Sequence, residues 1–168
     1  GSPARSDGPL VCLVSALPNK LVKELLESGQ LPGYEQYTLV RAEVPYQNHR
    51  FDFLLNDPHG RPYYLEVKSV TYVENGIARF PDAVTVRGRK HAETLTALKR
   101  QGTGTGIVFI CQRPDAVEFR PMWDRDPQFA EALTRAKEAG VELSCFTARV
   151  TPKSIQLSRQ IPLYLPPK

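Results

Sequence analysis

Cysteine, methionine and tryptophan are scarce: the 168 residues include three Cys, one Met and one Trp. Cys12, Cys111 and Cys145 stand far apart in apolar surroundings, with no Cys-x-x-Cys pair and no Cys/His cluster. That spacing argues against a structural zinc site and points to reduced core thiols in a cytoplasmic protein. Long hydrophobic runs are lacking too. No stretch approaches the roughly 20 apolar residues of a membrane span, and no secretory leader is seen, so no membrane partner is expected. There is no initiator Met. The chain opens Gly-Ser, which is expected to be a remnant of tag removal, with the chain starting inside a longer protein. Residues 1–9 are polar and carry Gly and Pro, and are expected to be a disordered leader, with residues 10–168 forming one domain.

The remaining composition is that of an ordinary globular chain, 41% apolar and 24% charged. The net charge of +4 permits a polyanionic partner without demanding one. Its distribution says more. Between Arg79 and Arg100, Arg87, Arg89, Lys90 and Lys99 add to those two arginines, with His91 among them, against only Asp82 and Glu93.

Periodicity predicts alternating helices and strands. After a short apolar run, Leu10 to Ala16, "PNKLVKELLESG" spaces Leu21, Val22, Leu25 and Leu26 as a helix, with Gly29 as its stop. Strands are predicted over Tyr37–Tyr46, His49–Asn56 and Pro62–Val70. Asn75-Gly76 in "VENGIARF" is a strong hairpin signal. A helix is predicted from about Thr85 to Gln101, and "GIVFICQ" as a central strand. "DPQFAEALTRAKEAG" is the clearest helix, with Asp126 at the N-cap, Pro127 at the first turn and Gly140 at the C-terminal cap. Val141–Val150 follows as a strand. The order α-β-β-β-α-β-α-β predicts an α/β fold, a mixed central sheet flanked by helices.

Two of these strands carry charge where a buried strand has little use for it. Glu66 and Lys68 in "PYYLEVKSV" share a face, because side chains alternate along a strand. Asp52 lies between Phe51 and Phe53 in "RFDFLL". The two strands are joined by the short turn "NDPHG" and are expected to pair antiparallel, bringing Asp52 beside Glu66. Two carboxylates held close in a low-dielectric place repel, and a hard divalent cation such as Mg²⁺ relieves that repulsion. Lys68 then stands ready to orient a water or neutralise a phosphoryl charge. Taken alone, Glu-Val-Lys is more often a solvated ion pair worth about 0–1 kcal/mol.

Asp, a variable gap, then Glu-x-Lys resembles the PD-(D/E)XK nuclease signature, which Asp52, Glu66 and Lys68 match. Phe51 stands where that signature often has Pro. "LPNKLVKELLESGQLPGY", "RFDFLL", "YLEVKSVTYVENGIARFPDAVTVRGRKH" and "CQRPDAVEFRP" together resemble the sugar fermentation stimulation protein A family, from about Leu10 to Val150. In that family an N-terminal OB-like domain precedes the nuclease-like domain, and nothing in this chain corresponds to it.

The resemblance implies a restriction-endonuclease-like fold and a metal-dependent nuclease acting on nucleic acid, DNA being the expected polymer. The alternative it implies is a nucleic-acid-binding regulator of sugar-utilisation genes that keeps the site without useful turnover. A homodimer is compatible with either. In the implied mechanism Asp52, Glu66 and the Val67 carbonyl hold Mg²⁺ or Mn²⁺, with Glu24 on the preceding helix as a further ligand and Glu43 as a weaker rival. Gln112, at the end of "GIVFICQ", is placed near the metal water or the scissile phosphate. Arg87, Arg89, Lys90 and His91 are expected to contact nucleic-acid phosphates, though His91 has a second reading as a group behind the site. Asp82 is open between capping the next helix and touching the site. Trp123 is open between stacking on bases and packing in the core.

Overall fold

A computed structural model describes residues 17–166. The expected leader 1–9, the apolar run from Leu10 to Ala16 and Cys12 lie outside the described residues. The first helix, α1, covers residues 17–28 and stops at Gly29, whose φ of +69° is left-handed. Three antiparallel strands follow: β1 (Thr38–Tyr46), β2 (His49–Asn56) and β3 (Pro62–Val70). A small hairpin, β4 (Tyr72–Glu74) and β5 (Ile77–Phe80), turns at Asn75-Gly76, both at positive φ, the conformation this dipeptide favours. Then come α2 (Val86–Arg100), β6 (Gly104–Cys111), β7 (Glu118–Pro121), α3 (Pro127–Ala139), β8 (Glu142–Val150) and β9 (Ile155–Ile161).

The main sheet has six strands in the order β1-β2-β3-β6-β8-β9. β3, β6 and β8 run parallel at its centre, and antiparallel strands close both sides, so the sheet is mixed, as expected. The hairpin does not join it. β4 and β5 pair instead with β7 in a separate three-stranded sheet. The strands β7 and β9 have no counterpart in the sequence reading. β7 is four residues long and carries Glu118 and Arg120. β9 is a mostly exposed edge strand, and the spacing of Ile155, Leu157 and Ile161 is its faint period-2 signal.

Two cores sandwich the sheet. On one face Leu21, Val22 and Leu26 of α1 cover Phe53, Leu55, Leu65, Val108 and Ile110. On the other, α2, α3 and the small sheet enclose Phe109, Phe119 and Phe129. All three of these phenylalanines are fully buried, each stabilising the fold by about 1.5–3 kcal/mol relative to exposure. β2 is shared between the cores. Residues two apart on a strand normally share a face, yet Phe51 packs on the α2 side and Phe53 on the α1 side. The strand therefore turns over at Asp52. Asp126 also serves two elements. Its Oδ1 accepts the Phe129 N–H at 3.0 Å as the N-cap of α3, and its Oδ2 accepts the Thr85 N–H at 2.8 Å. Thr85 in turn caps α2, its Oγ1 accepting the Gly88 N–H at 2.9 Å.

Candidate functional site

The pairing of β2 with β3 ends at Phe53 opposite Leu65. One step further the strands part, and Asp52 fills the fork. Its Oδ2 accepts the Val67 backbone N–H at 2.7 Å, taking the place a ladder carbonyl would have held, while its Oδ1 accepts Asn19 Nδ2 of α1 at 2.8 Å. The Asp52 N–H donates to Glu66 Oε1 at 3.3 Å. The two carboxylates thus meet, though just beyond the ladder rather than within it. N–H and C=O of one strand residue lie on the same edge, so the Val67 carbonyl opens on the same fork.

Glu66 is 4% exposed and its other oxygen is crowded. Oε2 accepts Lys68 Nζ at 3.1 Å and lies 2.9 Å from His91 Nδ1. Lys68 Nζ is also 3.2 Å from His91 Nδ1. A single ring nitrogen offers either a proton to Glu66 or a lone pair to Lys68, never both at once. These contacts pull the two carboxyls apart in acidity. Burial pushes Glu66 up, but His91 and Lys68 outweigh it and the net shift is downward. Asp52 is pushed up to about 7, by burial first and by the Glu66 charge second, against the opposing hydrogen bonds from Val67 and Asn19.

The other expected residues divide. His91 is 2% exposed, inside α2's packed face, with its ring edge-on to Phe51 and His49. It is the group behind Glu66 and Lys68, not an outward member of a basic face. Arg87 and Lys90 lie on the same side of α2 as His91 and border a cleft of about 660 Å³ with His49 and Arg50 of β2. Arg89 lies on another side and donates to Gln128 of α3 at 2.6 Å. Gln112 Nε2 donates to Ser69 Oγ at 2.7 Å, and Ser69 is one residue out of phase with Glu66 and Lys68, so it takes the opposite face of β3.

Glu24 is not brought in. It is exposed, and it sits five residues from Asn19, about 140° around the helix, on the side away from the sheet. Glu43 is exposed at positive φ and faces Arg50 at 3.6 Å. Asp82 caps nothing, since Thr85 does so; the Asp82 carbonyl accepts from Arg125. Trp123 Nε1 donates to the Leu165 carbonyl at 2.6 Å and pins the last described residues. Among the described residues, no group of three or more His, Cys, Asp and Glu side chains is disposed to hold a metal ion. Sequence reasoning missed Asn19, His49 and Arg50. Asn19 carries no signal beyond helical spacing. Arg50 had one: alternation puts it in phase with Asp52.

A family model, the Sugar fermentation stimulation protein RE domain, matches residues 16–154. The chain belongs to the sugar fermentation stimulation protein family. A homologue from Clostridium botulinum is 43% identical over 156 residues, spanning 93% of this chain and 68% of its own length. One from Pelobacter propionicus is 42% identical over 161 residues, 95% of this chain and 70% of that protein. Among solved structures, Pyrococcus furiosus SfsA in complex with Ca²⁺ superposes with a TM-score of 0.81 at 30% identity, over 88% of this chain and 64% of that one. The family resemblance read from "YLEVKSVTYVENGIARFPDAVTVRGRKH" is thereby established, and the chain spans about two thirds of the relatives it matches.

Proposed function

We propose that this chain carries a divalent-cation-dependent nuclease site of the restriction-endonuclease-like, PD-(D/E)XK kind, hydrolysing phosphodiester bonds of nucleic acid, with DNA the expected polymer. One observation carries the reading: Asp52, Glu66 and Lys68 converge where β2 and β3 part, and the Glu66 charge helps push Asp52 up to about 7. A protein has little structural reason to hold two carboxylates in repulsion, and perturbed acids of this kind cluster at functional sites. The donors fit a hard cation. Two carboxylates and the Val67 carbonyl suit Mg²⁺ or Mn²⁺, which complete their shells with water and phosphate oxygens. Support also comes from the Ca²⁺ in the related Pyrococcus structure, another oxygen-seeking ion.

When bound, the cation supplies positive charge where the phosphorane builds negative charge. The chain's own residues do the rest. Asn19 and the Val67 N–H fix the Asp52 carboxylate, and His91 with Glu66 holds the Lys68 ammonium. From there Lys68 donates to the attacking water or to a phosphate oxygen. A cleavage assay on single- and double-stranded DNA and RNA, in Mg²⁺ and in Mn²⁺, tests the reading. Cleavage that vanishes with Lys68→Ala supports it; no cleavage of any of these polymers in either metal overturns it.

A second reading, a nucleic-acid-binding regulator without turnover, is favoured by a specific feature. All four oxygens of the Asp52–Glu66 pair already have donors or close cationic neighbours within the chain. Binding without cleavage in both metals selects it.

A further inference from the structure

The cleft beside the acid–amine cluster has one wall from the β1–β2 turn and one from the first turns of α2. Arg50 stands on the first wall, Arg87 and Lys90 on the second, and no carboxylate lines it. Glu43 faces Arg50 at 3.6 Å with both side chains largely exposed, a pairing that water screens, and Glu66 lies behind the His91 ring. His49 and Val86 add flat or apolar surface, and Val86 is 52% exposed. His91 joins the two regions: it lines the cleft and its Nδ1 touches both Glu66 and Lys68.

Resting on the nucleic-acid reading above, we propose that this cleft holds a single unpaired strand next to the scissile phosphate, so that the preferred substrate is single-stranded nucleic acid or a frayed end. The cleft, about 660 Å³, has room for a length of backbone with its bases. Chemistry agrees. A cationic wall that follows the backbone, facing surfaces on which bases lie, is how strands are held without sequence preference. Bases stacked inside a duplex cannot turn their faces to His49 and Val86. Gln47 and Asn48, at the tip of the β1–β2 turn, supply amides to base edges of the same strand.

The test measures binding in EDTA, where cleavage does not interfere. An oligo-dT of about 12 nucleotides and a duplex of equal length are titrated by fluorescence anisotropy over a range of salt. The proteins are the wild type and Arg50→Ala/Lys90→Ala, whose altered side chains are exposed, so its melting temperature is expected to match the wild type. Wild type is expected to bind the single strand at least about ten-fold more tightly than the duplex. The double variant is expected to lose about ten-fold or more on the single strand, with a salt slope shallower by about 1.4 for two lost phosphate contacts. Equal or tighter duplex binding overturns the proposal. So does a variant that binds oligo-dT as the wild type does; in that case the nucleic-acid reading survives and the cleft is not its path. If neither polymer binds the wild type, both readings fall together.

Discussion

Asp52 is the residue on which most of the site's physics turns. Its carboxyl ordinarily titrates near 3.8 and is pushed up to about 7 in the folded chain. Between those values the folded state keeps a proton that the unfolded state has lost, so stability falls as pH rises from about 4 to about 7, by on the order of 4 kcal/mol. Glu66 has the opposite sign. Its lowered pKa contributes stability that is lost only below its ordinary value of 4.5. From about pH 5 to pH 8 Glu66 no longer contributes to the pH dependence, and His49, whose pKa is lowered by burial and by nearby cations, acts alike in wild type and variant, so the melting temperature of Asp52→Asn is expected to gain on the wild type across that range. Parallel curves would mean the carboxyl is not raised. Lys68 gives the second test at this scale. As a group acting in the transition state, Lys68→Ala is expected to cut single-turnover cleavage by about 10²-fold or more while nucleic acid still binds. A change confined to the melting temperature, with cleavage intact, reduces Lys68 to a partner of Glu66.

At the scale of elements, two places tie the architecture together. Asp126 receives an N–H from each of two helix starts, one oxygen to Phe129 in α3 and the other to Thr85 ahead of α2. Asp126→Ala orphans both donors and is expected to cost about 2–3 kcal/mol, with Asp126→Asn falling between, since an amide offers only one acceptor oxygen. Urea melts of the two variants check the order; an Asp126→Asn variant as stable as the wild type would mean that only one of the bonds matters. The centre of the sheet is the other place. A Cβ on Gly106 of β6 would lie 2.2 Å from the Tyr63 hydroxyl and 2.6 Å from that of Tyr34. Those hydroxyls are 2.7 Å apart, and Tyr63 donates onward to Glu142 at 2.6 Å, so neither retreats without breaking the chain of bonds. Gly106→Ala is expected to lower stability by about 1–3 kcal/mol, read from the same melts. Helix caps of this kind were legible in the sequence: Asp126, Pro127 and Gly140 sit at local positions with local reasons. The second duty of Asp126 was not, because Thr85 is 41 residues away.

Across the whole molecule, the fork of β2 and β3 belongs to the folded state alone, so any cation held there stabilises the fold. Metal at about 100 times its dissociation constant adds about 2.7 kcal/mol. For a domain of this size that is a rise of roughly 5–10 °C in melting temperature, largest above about pH 7 where Asp52 has lost its proton. Asp52→Asn is expected to remove the rise. An equal rise in the variant would place the cation elsewhere.

By itself the sequence determined what is set by near neighbours along the chain. The three helices, the β1–β2–β3 meander with its bounds at His49, Asn56, Pro62 and Val70, and the Asn75-Gly76 turn all follow from spacing, caps and turn chemistry. The pairing of Asp52 with Glu66 also followed, because two strands joined by a short turn have little choice of partner. Tertiary structure decided the rest. It sent the hairpin to β7 in a sheet of its own. It turned Glu24 outward and brought Asn19 to Asp52 in its stead, since the rotation of α1 is set by the packing of Leu21, Val22 and Leu26. It split one basic run three ways: Arg87 and Lys90 to the cleft, Arg89 to Gln128, and His91 to the interior. Helical phase assigns such residues to different sides, but only the neighbours waiting on each side make one a surface cation and another a buried partner of Glu66.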